Sequence, residues 1–347
     1  MQSIAIFGFG RIGRSVLRAA LKDNLFVPNI IGDIKDLETL AALFKVDTNY
    51  GVWPEDVRAE GSKLLIGDRK IQYVDVKDGI PDWDSLGVDL VIECTGRATT
   101  RAAAQEHINH GASYVLVSAA PKSDKDADAV LLPGINANAF DQNAHHIVSM
   151  ASCTTNALAS VVKVLHDRFG IKNGFFATVH AYTNSQSLTD QPVKDRRDSW
   201  AAAENIIPSS SGAAKALKFI WPDLNVTGKA YRVPVRTGSI VELDANLNRA
   251  VTADEVRQAF RDAASTGPLK GVMDVLEQEW ASSRIVGDPH TSIVDLPLVQ
   301  VMDGTLVSVA AWYDNEYGYA TRLAEMAAQM YKAAQPAMSK SEKASAD

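Results

Sequence analysis

The sequence predicts the α/β fold class in two parts. A doubly wound parallel-sheet domain spans residues 1–150, and an α+β domain with a mixed or antiparallel sheet spans 151–317. Three observations carry this. Short Val/Ile-rich runs alternate with helical patterns up to about residue 150, the texture of a parallel sheet. A glycine-rich turn, GFGRIG at 8–13, separates the first run from the first helical pattern. Past residue 150, strand-like runs follow one another with fewer helices between them, which suits an antiparallel or mixed sheet. At 347 residues the chain is about twice the usual domain size of roughly 150, so two domains are expected.

Residues 3–7 (SIAIF) read as the first strand, followed by Ile12, Val16, Ala19 and Ala20 at helical spacing. Residues 27–31 form the next apolar run. Residues 89–93, 114–118 and 146–150 continue the sheet, with a helix at 101–109 before the second of these. A helix over about 154–168 opens the second domain, with Leu158, Val161, Val162 and Leu165 on one face. Strands are expected at 175–180, 230–235, 239–246, 292–295 and 305–313. Leu323, Met326, Ala327, Met330 and Tyr331 mark one face of a helix over about 318–333, expected to pack back onto the first domain. Residues 334–347, containing Pro336, read as a frayed tail, and 122–128 as a solvated loop.

Composition narrows the function classes. Apolar residues make up 46% and charged residues 22%, ordinary for a globular protein. A net charge of −7 gives no general affinity for nucleic acid or anionic lipid. No run of 18 uncharged apolar residues suggests a membrane span, and the opening residues lack the charged start of a secretory leader. Two cysteines, Cys94 and Cys153, are too few for a disulfide framework and suit a reducing cytoplasm.

The turn at 8–13 has Gly-x-Gly-x-x-Gly spacing between a strand and a helix, the fingerprint of a Rossmann-type domain. Gly8 permits the tight turn, Gly10 lets backbone approach a pyrophosphate, and Gly13 allows close helix–strand packing. The helix start offers free N–H groups and a partial positive charge to phosphate. Asp33, 20 residues past Gly13, is placed to accept hydrogen bonds from a ribose hydroxyl pair and to repel a 2′-phosphate. NAD is therefore the expected cofactor, with NADP the less favoured alternative that Lys35 nearby could admit.

Ser-Cys-Thr-Thr-Asn at 152–156 follows a strand and opens a helix. A cysteine there has a thiolate favoured by unsatisfied N–H groups, so Cys153 reads as a nucleophile, whereas Cys94 within VIECTG reads as a small buried hydrophobe. A thiol nucleophile needs a base, usually histidine. His107, His110, His145, His146 and His166 have polar surroundings and read as surface residues. His180 ends the apolar run FFATVH, where sites gather in α/β folds. No spacing suggests a zinc site. The run SSSGAAKAL reads as a serine-capped helix able to take an anion rather than as a flexible serine linker, and Arg232 in YRVP as either a forked phosphate donor or a surface strand arginine.

GFGRIGR at 8–14, ASCTTNALA at 151–159, HAYT at 180–183, NIIPSSSGAAKA at 205–216, YRVP at 231–234 and WYDNEYGYA at 312–320 occur in that order. Together they resemble the glyceraldehyde-3-phosphate dehydrogenase family over about residues 1–332. The resemblance implies that Cys153 attacks the aldehyde, that His180 acts as base, and that inorganic phosphate resolves the thioester. It implies substrate-phosphate contacts from Thr183 and Arg232, and an inorganic-phosphate site of Ser152, Thr154, Ser211, Gly212 and Arg232. Gly8, Gly10, Arg11, Ile12, Asp33, Thr95 and Ser118 match the cofactor cleft, and Asn315 the residue that orients the nicotinamide carboxamide. A cytoplasmic homotetramer is implied as well.

Departures from the family are local. Gly32 stands where asparagine is usual, the loop 183–200 diverges with Trp200 where arginine is common, and Val235-Arg236-Thr237-Gly238 brings an extra cation. Pro192 is retained and mildly favours NAD. An erythrose-4-phosphate dehydrogenase is the nearest rival, against which Ser211–Lys215 argues, and an arsenate-using divergent paralogue is a further alternative. A nucleotide-binding partner with idle chemistry is the reading from another class, against which intact Cys153, His180 and Arg232 argue.

Overall fold

The computed structural model describes residues 3–334, so all of the expected tail but Ala334 lies outside the described residues. One sheet has nine strands in the order Ala129–Val130, Ile147–Ser149, Tyr114–Val117, Leu90–Glu93, Ile4–Phe7, Ile30–Asp33, Arg69–Asp75, Lys63–Ile66 and Val57–Glu60. All pairings up to Arg69–Asp75 are parallel, and the last two strands add on antiparallel. The strands of this sheet's centre are largely apolar because helices cover both faces; Ala5, Ile6, Val91, Ile92, Val115 and Leu116 are fully buried. Chain order reverses at Ile4–Phe7, which lies between Ile30–Asp33 and Leu90–Glu93. That reversal opens a crevice at the strands' carboxyl ends, the standard ligand position in such sheets.

The second sheet is mixed. Its order is Ile207–Ser210, Val226–Val233, Ile171–Ala181, Ser239–Leu247, Leu306–Tyr313, Ser292–Asp295 and Met273–Leu276, with Gln300–Met302 alongside Leu306–Tyr313. Ile171–Ala181 runs parallel to Val226–Val233 and antiparallel to Ser239–Leu247. The helix Cys153–Phe169 lies on one face, burying Leu158, Val161, Val162 and Leu165 against Val241, Leu243, Val307 and Val309. The C-terminal helix Tyr317–Ala334 returns to the first sheet. It buries Leu323, Met326 and Met330 in one core with Val16, Leu17 and Ala20 of the helix Arg11–Lys22. Each of those three burials is worth roughly 1.5–3 kcal/mol.

Some elements differ from expectation for identifiable reasons. The run at 27–31 is not itself a strand: Pro28 has no N–H to give the ladder, Val27 is exposed, and pairing begins at Ile30. Three strands between 57 and 75 escape the sequence: Val57–Glu60 at the sheet edge and Arg69–Asp75 mix charged and polar residues with their apolar ones, and Lys63–Ile66 offers an apolar run of only three residues. The helix Ala253–Ser265 also escapes, since only Val256, Ala259 and Phe260 face the core; its signal is the capping box of Thr252 with Glu255.

Candidate active site

Gly8, Asp33, Thr95 and Ser118 follow or end four neighbouring strands, so the ladder itself collects them on one carboxyl edge: Phe7 pairs with Gly32 and Glu93, and Glu93 with Val117. Gly8 has φ +90° and its N–H donates to Gly32 O at 2.8 Å. A Cβ on Gly13 would stand 2.1 Å from Gly8 O, so only glycine lets the helix come this close to the strand. Gly10 caps the helix Arg11–Lys22 without a side-chain hydrogen bond, and a Cβ there would meet open space. Asp33 Oδ2 accepts from Phe9 N at 2.6 Å and Oδ1 from Lys35 N at 3.0 Å. Each oxygen keeps a lone pair for a further donor.

Not every residue assigned to this cleft turns its side chain to it. The Arg11 guanidinium bridges Asp47 at 2.5 Å and Glu316, so only its backbone N–H remains at the helix start for a phosphate. Ile12 packs on the hydrophobic core beside that helix. Thr95 Oγ1 donates to Glu93 Oε1, whose carboxyl is buried and pushed up by desolvation.

Cys153 begins the helix Cys153–Phe169, and Ser152 is its N-cap, accepting from Thr155 N at 3.1 Å. The preceding Ala151 is a buried non-glycine residue at φ +52°, a conformation that costs energy and here turns the chain from strand into helix. His180, one residue from the end of Ile171–Ala181, brings Nε2 to 3.4 Å from Cys153 Sγ. Its Nδ1 lies 2.7 Å from Ala181 O and 2.5 Å from Arg232 Nη1. The carbonyl asks for a proton on Nδ1 and the guanidinium for a lone pair, so these neighbours select opposite tautomers. A proton on Nδ1 leaves an Nε2 lone pair facing the thiol; a proton on Nε2 makes the ring a donor on the same side.

Burial and the Arg232 charge push His180 down to about 3, so the ring is neutral near pH 7. Burial also pushes the Cys153 thiol up, outweighing the pull of Arg232 and of the N–H groups at Cys153 and Thr154. The N–H groups at the helix start pull the thiol down as the sequence suggests, but burial leaves it raised overall. Cys94 is buried and its thiol is pushed up by desolvation, in keeping with a packing role.

Parallel register puts Arg232 directly opposite His180. Thr183 lies just past the same strand, its Oγ1 3.1 Å from Ser185 Oγ. Thr154 Oγ1 is 3.0 Å from Tyr313 OH, which is 2.8 Å from Thr178 Oγ1. Thr154's hydroxyl is thus engaged within the protein, and Tyr313, part of WYDNEYGYA but without a chemical signal of its own in the sequence, stands behind the nucleophile. Ser211 and Gly212 lie beyond the far end of Ile207–Ser210, whose Ile207 is the residue opposite Arg232. Among the described residues, no hydrogen bond joins them to Cys153, His180 or Arg232. The expected serine cap is corrected too: Gly212 caps the short helix Ala213–Leu217, while Ser211 Oγ accepts from Ala213 N at 3.3 Å.

Asn315 is buried and its Oδ1 accepts from Ser239 Oγ at 2.8 Å, which leaves the NH2 group to donate elsewhere. His107 is a correction as well. It is buried, not at the surface, its Nδ1 accepting from Trp83 Nε1 at 3.1 Å. Its polar sequence neighbours hide this, because it lies on the inner side of the helix Arg101–Asn109.

A dinucleotide-type crevice at a switch point, meeting a cysteine–histidine pair, defines an NAD-dependent oxidoreductase. Residues 2–101 match the glyceraldehyde 3-phosphate dehydrogenase NAD binding domain and residues 152–315 the C-terminal domain of the same family. The chain is 47% identical to glyceraldehyde-3-phosphate dehydrogenase of Kitasatospora aureofaciens, covering 93% of this chain and 97% of that protein. It is 43% identical to the Priestia megaterium protein of the same name, with 93% and 96% covered. For glyceraldehyde-3-phosphate dehydrogenase 1 of Bacillus subtilis the identity is 42%, with 95% and 98% covered. The chain belongs to the glyceraldehyde-3-phosphate dehydrogenase family.

Proposed function

We propose that the protein oxidises glyceraldehyde 3-phosphate with NAD and inorganic phosphate, giving the acyl phosphate through an acyl-enzyme on Cys153. The observation that carries this is the 3.4 Å approach of His180 Nε2 to Cys153 Sγ. The crevice residues fit NAD: Gly10 leaves room at an uncapped helix start, Asp33 has lone pairs to spare, and Asn315 has an NH2 group to offer. Those residues and the backbone N–H groups of Arg11 and Ile12 would hold it.

His180 in its Nδ1-protonated form takes the Cys153 proton at Nε2 as sulfur bonds to the aldehyde carbon. The same proton then passes to the new alkoxide, giving a thiohemiacetal. NAD, when bound, supplies the acceptor for the hydride that this adduct must lose to become a thioester. His180 takes up the hydroxyl proton at that stage. A phosphate oxygen then attacks the thioester carbon, the bond to sulfur breaks, and Cys153 recovers its proton from His180. Arg232 supports both phosphate groups as a forked cation, with Thr183, Ser152, Thr154, Ser211 and Gly212 assigned to them by family likeness.

Residues 1–150 carry the cofactor side and 151–317 the covalent chemistry in this reading. Among the described residues no helix is long and apolar enough to cross a membrane, and two unpaired cysteines suit a cytoplasmic setting. A homotetramer is supported by large apolar residues left in water: Leu188 is 80%, Ile206 70% and Phe175 69% exposed.

Steady-state assay of the purified protein tests the reading. The highest kcat/KM is expected with glyceraldehyde 3-phosphate and NAD, and with phosphate as acceptor rather than arsenate. A higher kcat/KM for erythrose 4-phosphate overturns the substrate assignment.

A further inference from the structure

Ser239 joins the two halves of the site. It is fully buried at the start of the strand Ser239–Leu247, delivered by a turn at Gly238, which has φ +89°. A Cβ on Gly238 would stand 2.7 Å from Ser282 O, so the turn admits only glycine. Ser239 Oγ accepts from Ala181 N at 3.1 Å, the residue after His180, and donates to Asn315 Oδ1 at 2.8 Å. A backbone N–H can only donate, so the hydroxyl's own proton is left for Asn315. An amide turned end for end would put its NH2 against Ser239 and leave that proton without an acceptor. Thr237 Oγ1 also reaches Asn315 Oδ1, at 3.3 Å, but its single proton is held by Asp314 Oδ1 at 2.8 Å. Ser239 therefore decides which end of the Asn315 amide is held and which is free to donate.

We propose that Ser239 is a positioning residue for nicotinamide recognition. By holding Asn315 Oδ1 it aims the Asn315 NH2 group at the carboxamide carbonyl of bound NAD, and by holding Ala181 it ties that aim to the strand carrying His180. The inference rests on the proposed role of Asn315.

Dissociation constants for NAD and for ADP-ribose, measured by calorimetry on wild type, Ser239→Ala, Asn315→Ala and the double variant, test it. ADP-ribose keeps the diphosphate and both riboses and lacks only the nicotinamide. Ser239→Ala is expected to weaken NAD about tenfold while ADP-ribose binding stays within about twofold, and to add nothing in the Asn315→Ala background. Retained ADP-ribose binding also shows that the variant is folded. Equal weakening of both ligands, no weakening of either, or additive losses overturn the role of Ser239. If Asn315→Ala itself leaves NAD affinity unchanged, the failure lies in the reading of Asn315.

Discussion

His180 Nε2 stands 3.4 Å from Cys153 Sγ, although one residue starts a helix and the other lies near the end of a strand 27 positions later. The helix lies across the sheet's inner face, so its first residue meets the carboxyl end of a central strand. Removing the imidazole while keeping a polar side chain isolates what it contributes. His180→Asn is expected to lower kcat ~10²–10⁴-fold. NAD binding, measured by calorimetry, should be unchanged.

Arg232 lowers the thiol pKa through its charge. Arg232→Ala should move the midpoint of Cys153 alkylation to higher pH when iodoacetamide reactivity is followed against pH. Arg232→Lys should keep most of the alkylation profile while raising KM for the substrate, because a point charge replaces a fork. An unaltered KM would remove Arg232 from phosphate binding.

The Asp33 carboxylate accepts from Phe9 N, and in the proposed reading it also sets cofactor choice. Replacing it with serine keeps a short acceptor and removes the charge that repels a 2′-phosphate. The ratio of kcat/KM for NAD over NADP is expected to fall at least about tenfold. Parity between the cofactors in the wild type would defeat the assignment.

His107 makes the fold sensitive to acid. Desolvation by burial, with a smaller push from the His110 charge, lowers it from 6.5 to about 4, and protonation at Nδ1 would break its bond from Trp83. The unfolded chain binds this proton first as pH falls, so the stability is present above about pH 6.5 and lost toward pH 4. Up to about 3 kcal/mol is at stake. His180, also lowered, acts in the same direction, so the measurement is a difference: urea melts of wild type and His107→Gln at pH 7 and pH 4.5. The variant should lose less stability on acidification.

The legible parts of the sequence were those where local chemistry and tertiary position coincide. Gly8, Gly13 and Asp33 are dictated by backbone approach and strand ends, and the apolar periodicity of Leu158, Val161, Val162 and Leu165 follows directly from burial. The helix start at Cys153 was legible as well, but not its electrostatics, since burial and an arginine from another strand set the thiol's environment. Arg11 was placed by motif alone, and its pairing with Asp47 and Glu316 joins segments far apart in sequence. Ser239 carries no local signal at all. Its importance comes from standing between Ala181 and Asn315, which only the register of three strands brings together.

Covalent catalysis at Cys153 is tested most directly by trapping. The protein is mixed with glyceraldehyde 3-phosphate and NAD in phosphate-free buffer, quenched in acid and examined by intact-mass and peptide mass spectrometry. One phosphoglyceroyl adduct per chain, mapped to Cys153 and discharged by added phosphate, is the expected result. A burst of NADH with no adduct, or an adduct on Cys94, contradicts it.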